Sequence, residues 1–258
     1  MPSFDKERDV HALVESCELP DDIQLVYVDD RDRRRTVALE DAAGLDFGMA
    51  KAFRKPSAYR GQRNFPGWWW SATTRSHVLY ESWLERHHVI EADRDARVVA
   101  ISGQAFELTW PVGQKRARHV PDLFCRMLGG QAVVTDCRSV SEADVKFTHK
   151  ASVTAAACSY IGWDYRLVGE PDPVWAANLR WLAGYRHPRF GEEHFEELLL
   201  SLFASAQPLS TARQVGDPIR IQPVLFHLLW RGRLSADLGR PLGETTILTA
   251  CEDTVEEA

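Results

Sequence analysis

A chain of 258 residues can build one large domain or two modest ones. Its hydrophobic share of 45% and charged share of 26% are those of an ordinary globular protein, and with no run of about 18 apolar residues no helix is expected to span a membrane. A formal charge of −6 argues against a module that holds nucleic acid unaided through a general basic surplus.

The first residues, Met1 to Asp9, are charged and lack the apolar core of a secretory signal. Cys17, Cys125, Cys137, Cys158 and Cys251 are scattered, with no CxxC pair and no histidine at zinc-finger spacing. Together these features lead us to expect reduced thiols in a cytoplasmic protein. The basic residues are local: Arg31, Arg33, Arg34 and Arg35, then Lys51, Arg54, Lys55, Arg60 and Arg63, then Lys115, Arg116 and Arg118. Each cluster reads about equally well as a solvated loop or a contact surface. The acidic end, residues 251–258, is expected to be disordered.

In chain order, Leu25 to Val28 and Thr36 to Leu39 read as two short strands joined by a polar turn. Lys51 to Ala72, rich in Arg, Gly, Pro and Trp, reads as an irregular arm. Within it Trp68, Trp69 and Trp70 are read as plugs onto the core in preference to a stacking surface for bases or a partner. His77 to Ile90 fits one helix. Strands are expected at Val98–Ser102, Ala105–Trp110, His119–Cys125 and Ala132–Asp136, the second because Phe106, Leu108 and Trp110 alternate with Glu107 and Thr109. Leu128-Gly129-Gly130-Gln131 supplies a hairpin turn. Ala143 to Ile161 follows as a helix and Tyr165 to Val168 as a buried strand. Asp172-Pro173 then offers a capping residue and a proline for a first helical position. Further on, Phe195–Phe203 and Val224–Arg231 read as helices, Ala206–Pro218 as a loop, and Thr245–Leu248 as a short strand.

These segments group into an N-terminal extension (1–72), an α/β core (73–186) and a C-terminal helical module with a small hairpin (191–250), which suits a winged helix. Three acidic residues of the core fall at telling places: Glu85 on the helix, Asp122 after Pro121, and Asp136 at a strand end before Cys137-Arg138. Carboxylates converging at a strand end repel one another unless a cation joins them. Mg²⁺ takes oxygen ligands and keeps several waters, so two or three carboxylates suffice to hold it. Such an ion neutralises the charge that builds up as a phosphodiester is cleaved, and a nearby cation can steady the reacting oxygens. Taken singly, each residue has a plainer use, as a turn aspartate or a solvated glutamate; their order is what points to chemistry.

A helix Glu, then Pro-Asp on one strand, then an acidic residue, a spacer and a basic residue on the next is the pattern of the restriction-endonuclease fold. The chain most resembles the TnsA endonuclease subunit of heteromeric transposases. Glu81-Ser82-Trp83-Leu84-Glu85 resembles that family's helix motif, and Ile101-Ser102-Gly103-Gln104-Ala105-Phe106 its Gln-Pro segment, with Ala105 in place of proline. Val120-Pro121-Asp122-Leu123-Phe124 resembles its metal-binding strand. Asp172-Pro173-Val174 with Asn178-Leu179-Arg180-Trp181-Leu182 resembles its closing helix.

The resemblance covers residues 73–186, and 191–250 more loosely. It implies a restriction-endonuclease-like core, a mixed central sheet flanked by helices. It implies a DNA endonuclease dependent on Mg²⁺ or Mn²⁺, with Glu85, Asp122 and Asp136 as ligands and Arg138 as the basic group. Its partners would be DNA, a DDE-type transposase and an AAA+ ATPase regulator, and its task would be cleavage at the 5′ ends of an element. Arg138 stands where the family has lysine, and arginine carries charge but does not release a proton. Two alternatives therefore stay open: a catalytically degenerate DNA-binding or regulatory protein on the same fold, and a nuclease of a phage-defence system. Gln104, Lys146 and Lys150 are site-adjacent candidates. The His87-His88 pair is read as packing or solvated, ahead of a second metal site.

Overall fold

A computed structural model describes residues 13–54 and 65–251. The expectations for Met1 to Asp9, for Lys55, Arg60 and Arg63, and for the acidic end beyond Cys251 lie outside the described residues. The protein is mixed α/β, and it divides into two compact units that meet in sequence at Glu170 and Pro171. No helix among the described residues is long and apolar enough to cross a membrane.

The first unit holds two four-stranded sheets. One has the order β2-β1-β6-β7, built from β1 (Gln24–Val28), β2 (Arg34–Ala38), β6 (Phe106–Val112) and β7 (Lys115–His119). The first hairpin, grouped by sequence with an extension, is thus bonded into this unit, with Leu25 opposite Leu108. Asp29 closes its turn by accepting from the amides of Arg31 and Arg33 at 3.0 and 2.9 Å. The same carboxylate pairs with Arg33 and Arg35, while Arg116 pairs with Asp22 and Lys51 with Asp32. Much of the basic surface is therefore spent on local acids.

The second sheet has the order β10-β9-β8-β5, from β5 (Val98–Gly103), β8 (Leu123–Met127), β9 (Ala132–Cys137) and β10 (Asp164–Val168). It is mixed: β5/β8 and β8/β9 are antiparallel, and β9/β10 is parallel. The expected turn joins β8 to β9, with Gly129 and Gly130 at φ +90° and +89°, a region open to glycine at little cost. A parallel neighbour needs a crossover, which α2 (Val145–Tyr160) supplies between β9 and β10. The core contains Phe47, Phe106, Phe124 and Trp163, whose rings pack at centroid separations of 5.1 to 6.4 Å. Leu25, Leu108, Trp110, Val134, Val153 and Ala157 bury around them.

Two sequence expectations are corrected here. His77–Ile90 is not one helix. His77–Tyr80 is a strand (β4) that pairs with β3 (Gly67–Trp70), and the helix, α1, runs from Trp83 to Arg94. The break is set by Ser82, whose hydroxyl accepts from the amide of Glu85 at 3.1 Å as an N-cap. Nor is His119–Cys125 one strand: β7 ends at His119 and β8 starts at Leu123, so Pro121 and Asp122 lie between strands. Proline has no N–H to give a ladder, which fits the break.

The tryptophan run separates by face. Trp69 is buried, as a plug should be, while Trp68 is 57% exposed. Trp69 Nε1 donates to Asp93 at 2.8 Å, and the same carboxylate accepts from Ser71 Oγ and the amides of Ala72 and Thr73. Residues 69–73 are thereby fixed to α1.

The second unit comprises α3 (Pro173–Leu182), α4 (Glu193–Leu202), α5 (Pro218–Trp230) and a small antiparallel sheet, β11-β13-β12. Its strands are β11 (Gln207–Pro208), β12 (Leu234–Ser235) and β13 (Ile247–Ala250). Asp172 caps α3 through the amides of Val174 and Trp175, with Pro173 in the first turn, as expected. The segment 206–218 is not simply a loop: it contains β11 and a 3-10 helix, Leu209–Gln214.

Candidate functional site

Three strands deliver polar residues in one row. In the β8/β9 register Leu123 faces Thr135; Asp122 precedes the one and Asp136 follows the other, and the amide of Cys137 donates to Asp122 Oδ2 at 2.8 Å. In the β5/β8 register Gly103 faces Leu123, and the next amide, that of Gln104, donates to Asp122 O at 2.9 Å. α1 carries Glu85 to the same place. The charges of Glu85 and Asp136 both act on Asp122.

Glu85 is buried, 8% exposed. Its Oε2 accepts from the amide of Glu81 at 2.6 Å, so one oxygen helps cap the helix that bears it. Burial raises its pKa; the bonds from Glu81 and Ser82 offset part of this, and the negative charge of Glu81 adds to it. Asp122 is tied by the amide of Cys137, which donates to Oδ2 at 2.8 Å. Its pKa lies well above the usual carboxylate range, first through desolvation and then through the charges of Glu85 and Asp136.

Asp136 is the most enclosed of the three, 1% exposed. His119 Nε2 stands 2.7 Å from its Oδ2, and Tyr165 Oη donates to the same atom at 2.7 Å. Its Oδ1 is buried without a hydrogen-bond partner. The Tyr165 phenol is pushed far above its ordinary pKa by burial and then by the adjacent Asp136 charge, so it remains a donor.

Gln104 sits at the end of the row. It is fully buried and held at φ +52°, an uncommon conformation for a residue with a side chain. Its Oε1 accepts from Arg54 Nε at 3.2 Å, and Arg54 continues to Glu81 Oε2 at 2.9 Å. Arg138 turns toward α2: its guanidinium lies 4.7 Å from the Phe147 ring, and Nε reaches Glu142 O at 3.3 Å. Phe147 in turn stands 6.3 Å from His119, ring to ring, so the first turns of α2 border the site. Lys146 is exposed and Lys150 half-buried on that helix.

His119 and Tyr165 are not candidates on the sequence alone, and Arg54 is one only as a member of a basic cluster. His119 opens the His-Val-Pro-Asp run and could have been found there. Tyr165 had no signal, because its approach depends on parallel pairing across α2.

The donor set at Glu85, Asp122 and Asp136 is all oxygen, with Asp136 Oδ1 unserved, and oxygen donors are those a hard divalent cation takes. They stand further apart than a closed cage: among the described residues only His87, His88 and Glu91 bring three ligand atoms within 4.8 Å of one another. The five cysteines are free thiols, and burial pushes Cys125 up to about 12, so it is a poor candidate for a nucleophile. No protein-family model matches the chain, and no curated protein matches it.

Proposed function

We propose that the protein is a divalent-metal-dependent DNA endonuclease with a restriction-endonuclease-like core, of the kind represented by the TnsA transposase subunit. The observation that carries this reading is electrostatic. Glu85, Asp122 and Asp136 come from α1 and two adjacent strand ends, and the pKa of Asp122 is raised first by its burial and then by the charges of Glu85 and Asp136. A protein has little reason to gather buried negative charge unless a cation or a proton repays it. The mixed order β10-β9-β8-β5 with α1 preceding β5 suits the same fold.

In this reading Glu85, Asp122 and Asp136 would hold Mg²⁺ or Mn²⁺. The bound ion would supply charge neutralisation and an acidified water. The chain's own part is to aim the ligands: Cys137 N orients Asp122, His119 and Tyr165 orient Asp136, and Glu81 N orients Glu85. Gln104 and Arg54 close one side. Arg138, Lys146 and Lys150, on and beside α2, would offer positive charge to the DNA backbone. The second unit, helical with a small antiparallel sheet, suits a winged-helix-like module. A net charge of −6 fits a subunit that gains DNA affinity from a DDE-type transposase and an AAA+ regulator.

Conversion of supercoiled plasmid in Mg²⁺ or Mn²⁺, alone and with neighbouring gene products, tests this. Glu85→Ala, Asp122→Ala and Asp136→Ala should each abolish cleavage while leaving a folded chain. Cleavage retained in Asp122→Ala would refute the assignment. One observation favours a second reading, a degenerate DNA-binding protein: the Arg138 guanidinium is engaged with Phe147 and Glu142. That protein would bind DNA and show neither cleavage nor an Mg²⁺ response.

A further inference from the structure

His87, His88 and Glu91 lie at one place on α1, with one ligand atom of each within 4.8 Å of the others. His87 is 5% and His88 6% exposed. His87 Nε2 comes 3.1 Å from Glu91 Oε1, yet neither ring nitrogen of this buried histidine has a hydrogen-bond partner, because the approach is short but misdirected. An unserved buried imidazole aimed at a carboxylate is costly unless something joins them.

His88 points the same way. Its Nε2 is 2.9 Å from Gly169 O, and a carbonyl can only accept, so Nε2 carries the hydrogen. In the neutral ring Nδ1 is then a lone pair, and it faces Glu91 Oε2 at 2.9 Å. Two acceptors so placed need a cation between them. A second proton on His88 would satisfy that pair alone and leave His87 unserved. One metal ion would satisfy all three.

We propose that His87, His88 and Glu91 form a binding site for a borderline transition-metal ion, Zn²⁺ by preference, distinct from the carboxylates at Glu85, Asp122 and Asp136. Two imidazoles and one carboxylate are a zinc donor set, whereas the all-oxygen group suits Mg²⁺. Ligand atoms about 2.0–2.2 Å from one ion stand roughly 2.9–3.5 Å apart at ordinary angles. The observed 2.9 and 3.1 Å fall at the near edge of that range. The Gly169 carbonyl fixes the His88 tautomer, the role that second partners of metal-bound histidines play. The ion would staple α1, the helix that bears Glu85, beside the residue that follows β10. From the sequence alone the His87-His88 pair reads as packing or solvated, and Glu91, one turn on, is what brings a third ligand atom to it.

The site does not rest on the nuclease reading, and the test separates the two. Full-length protein carrying Asp122→Asn, which disables the carboxylate site, is stripped with chelator and titrated with Zn²⁺ against a chromophoric competitor. One equivalent of Zn²⁺ should remain tightly held and raise the melting temperature. His87→Gln or Glu91→Gln in that background should remove the equivalent. Circular dichroism checks folding, and Glu91→Gln decides if His87→Gln does not fold. Co²⁺ in place of Zn²⁺ should give visible bands without a thiolate charge-transfer band. No retained zinc in the Asp122→Asn protein, an equivalent that survives in folded His87→Gln or Glu91→Gln, or a thiolate band overturns the proposal.

Discussion

Tyr165 Oη donates to Asp136 Oδ2 at 2.7 Å, reaching it from the strand parallel to the one that bears the carboxylate. With His119 on the same oxygen, Asp136 keeps only Oδ1 for anything else. Tyr165→Phe removes a bond to a buried charge while keeping the ring. We expect a loss of about 1.5–3 kcal/mol in stability, read by urea denaturation of metal-free protein. A change below about 0.5 kcal/mol would mean that His119 alone holds Asp136.

Asp122 predicts a pH dependence. A carboxyl whose pKa is raised in the folded state binds its proton more readily there than in the unfolded chain. Metal-free protein should therefore lose stability as pH climbs from the ordinary carboxylate range, about 4, through the raised value of Asp122. Above that value the whole penalty is felt. Asp122→Asn should melt higher than wild type at neutral pH and flatten the profile, since its amide oxygen can still accept from Cys137 N. Mg²⁺ should raise the melting temperature of wild type and not of the variant. Thermal scans between pH 4 and pH 8, with and without Mg²⁺, decide this; equal responses in both proteins would remove the metal from Asp122.

Parts of this arrangement can be read in the chain because their signals are local. Asp172-Pro173 announces its helix, Gly129-Gly130 its turn, and the alternation of Phe106, Leu108 and Trp110 its strand. Glu85, Asp122 and Asp136 were legible through order alone. The break between His77–Tyr80 and α1 was also written locally, in Ser82-Trp83-Leu84-Glu85, which has the form of a capping box. Helical spacing on both sides of it masked the cap. What could not be read is what meets across the sheets: Tyr165 on Asp136, Arg54 on Gln104, and Gly103, where an added Cβ would sit 2.1 Å from Leu79 O. Those contacts follow from pairing and crossover, which no short window of sequence holds.

For Arg138 the expectation is electrostatic. Stacked beside Phe147, its charge lies at the α2 border of the site without a proton to offer. Arg138→Lys should cleave DNA at least as fast as wild type, and Arg138→Ala should lose on the order of a hundredfold in turnover if the charge steadies the reacting phosphate. Single-turnover cleavage at saturating DNA separates this from weaker binding. A large loss in the lysine variant would mean that the planar guanidinium makes a contact of its own.

Asp93 and Asp122 make a matched contrast, because both are acids of the first unit and their substitution should act in opposite directions. Asp93 is 4% exposed and meets only donors: an indole, a hydroxyl and two amides. Asp93→Ala would strand those donors and release the Trp69 arm from α1, so we expect a cost of about 3–4 kcal/mol in denaturant unfolding. Asp93→Asn should recover little, since its amide nitrogen would face donors. Asp122 meets one amide donor and the like charges of Glu85, Asp136 and Glu81, and its amide variant should stabilise the metal-free protein. Satisfied charge marks a structural joint, and crowded charge marks a place built for something that arrives. If both asparagine variants shifted stability in the same direction, that distinction would fail, and the case for a cation at Asp122 would fail with it.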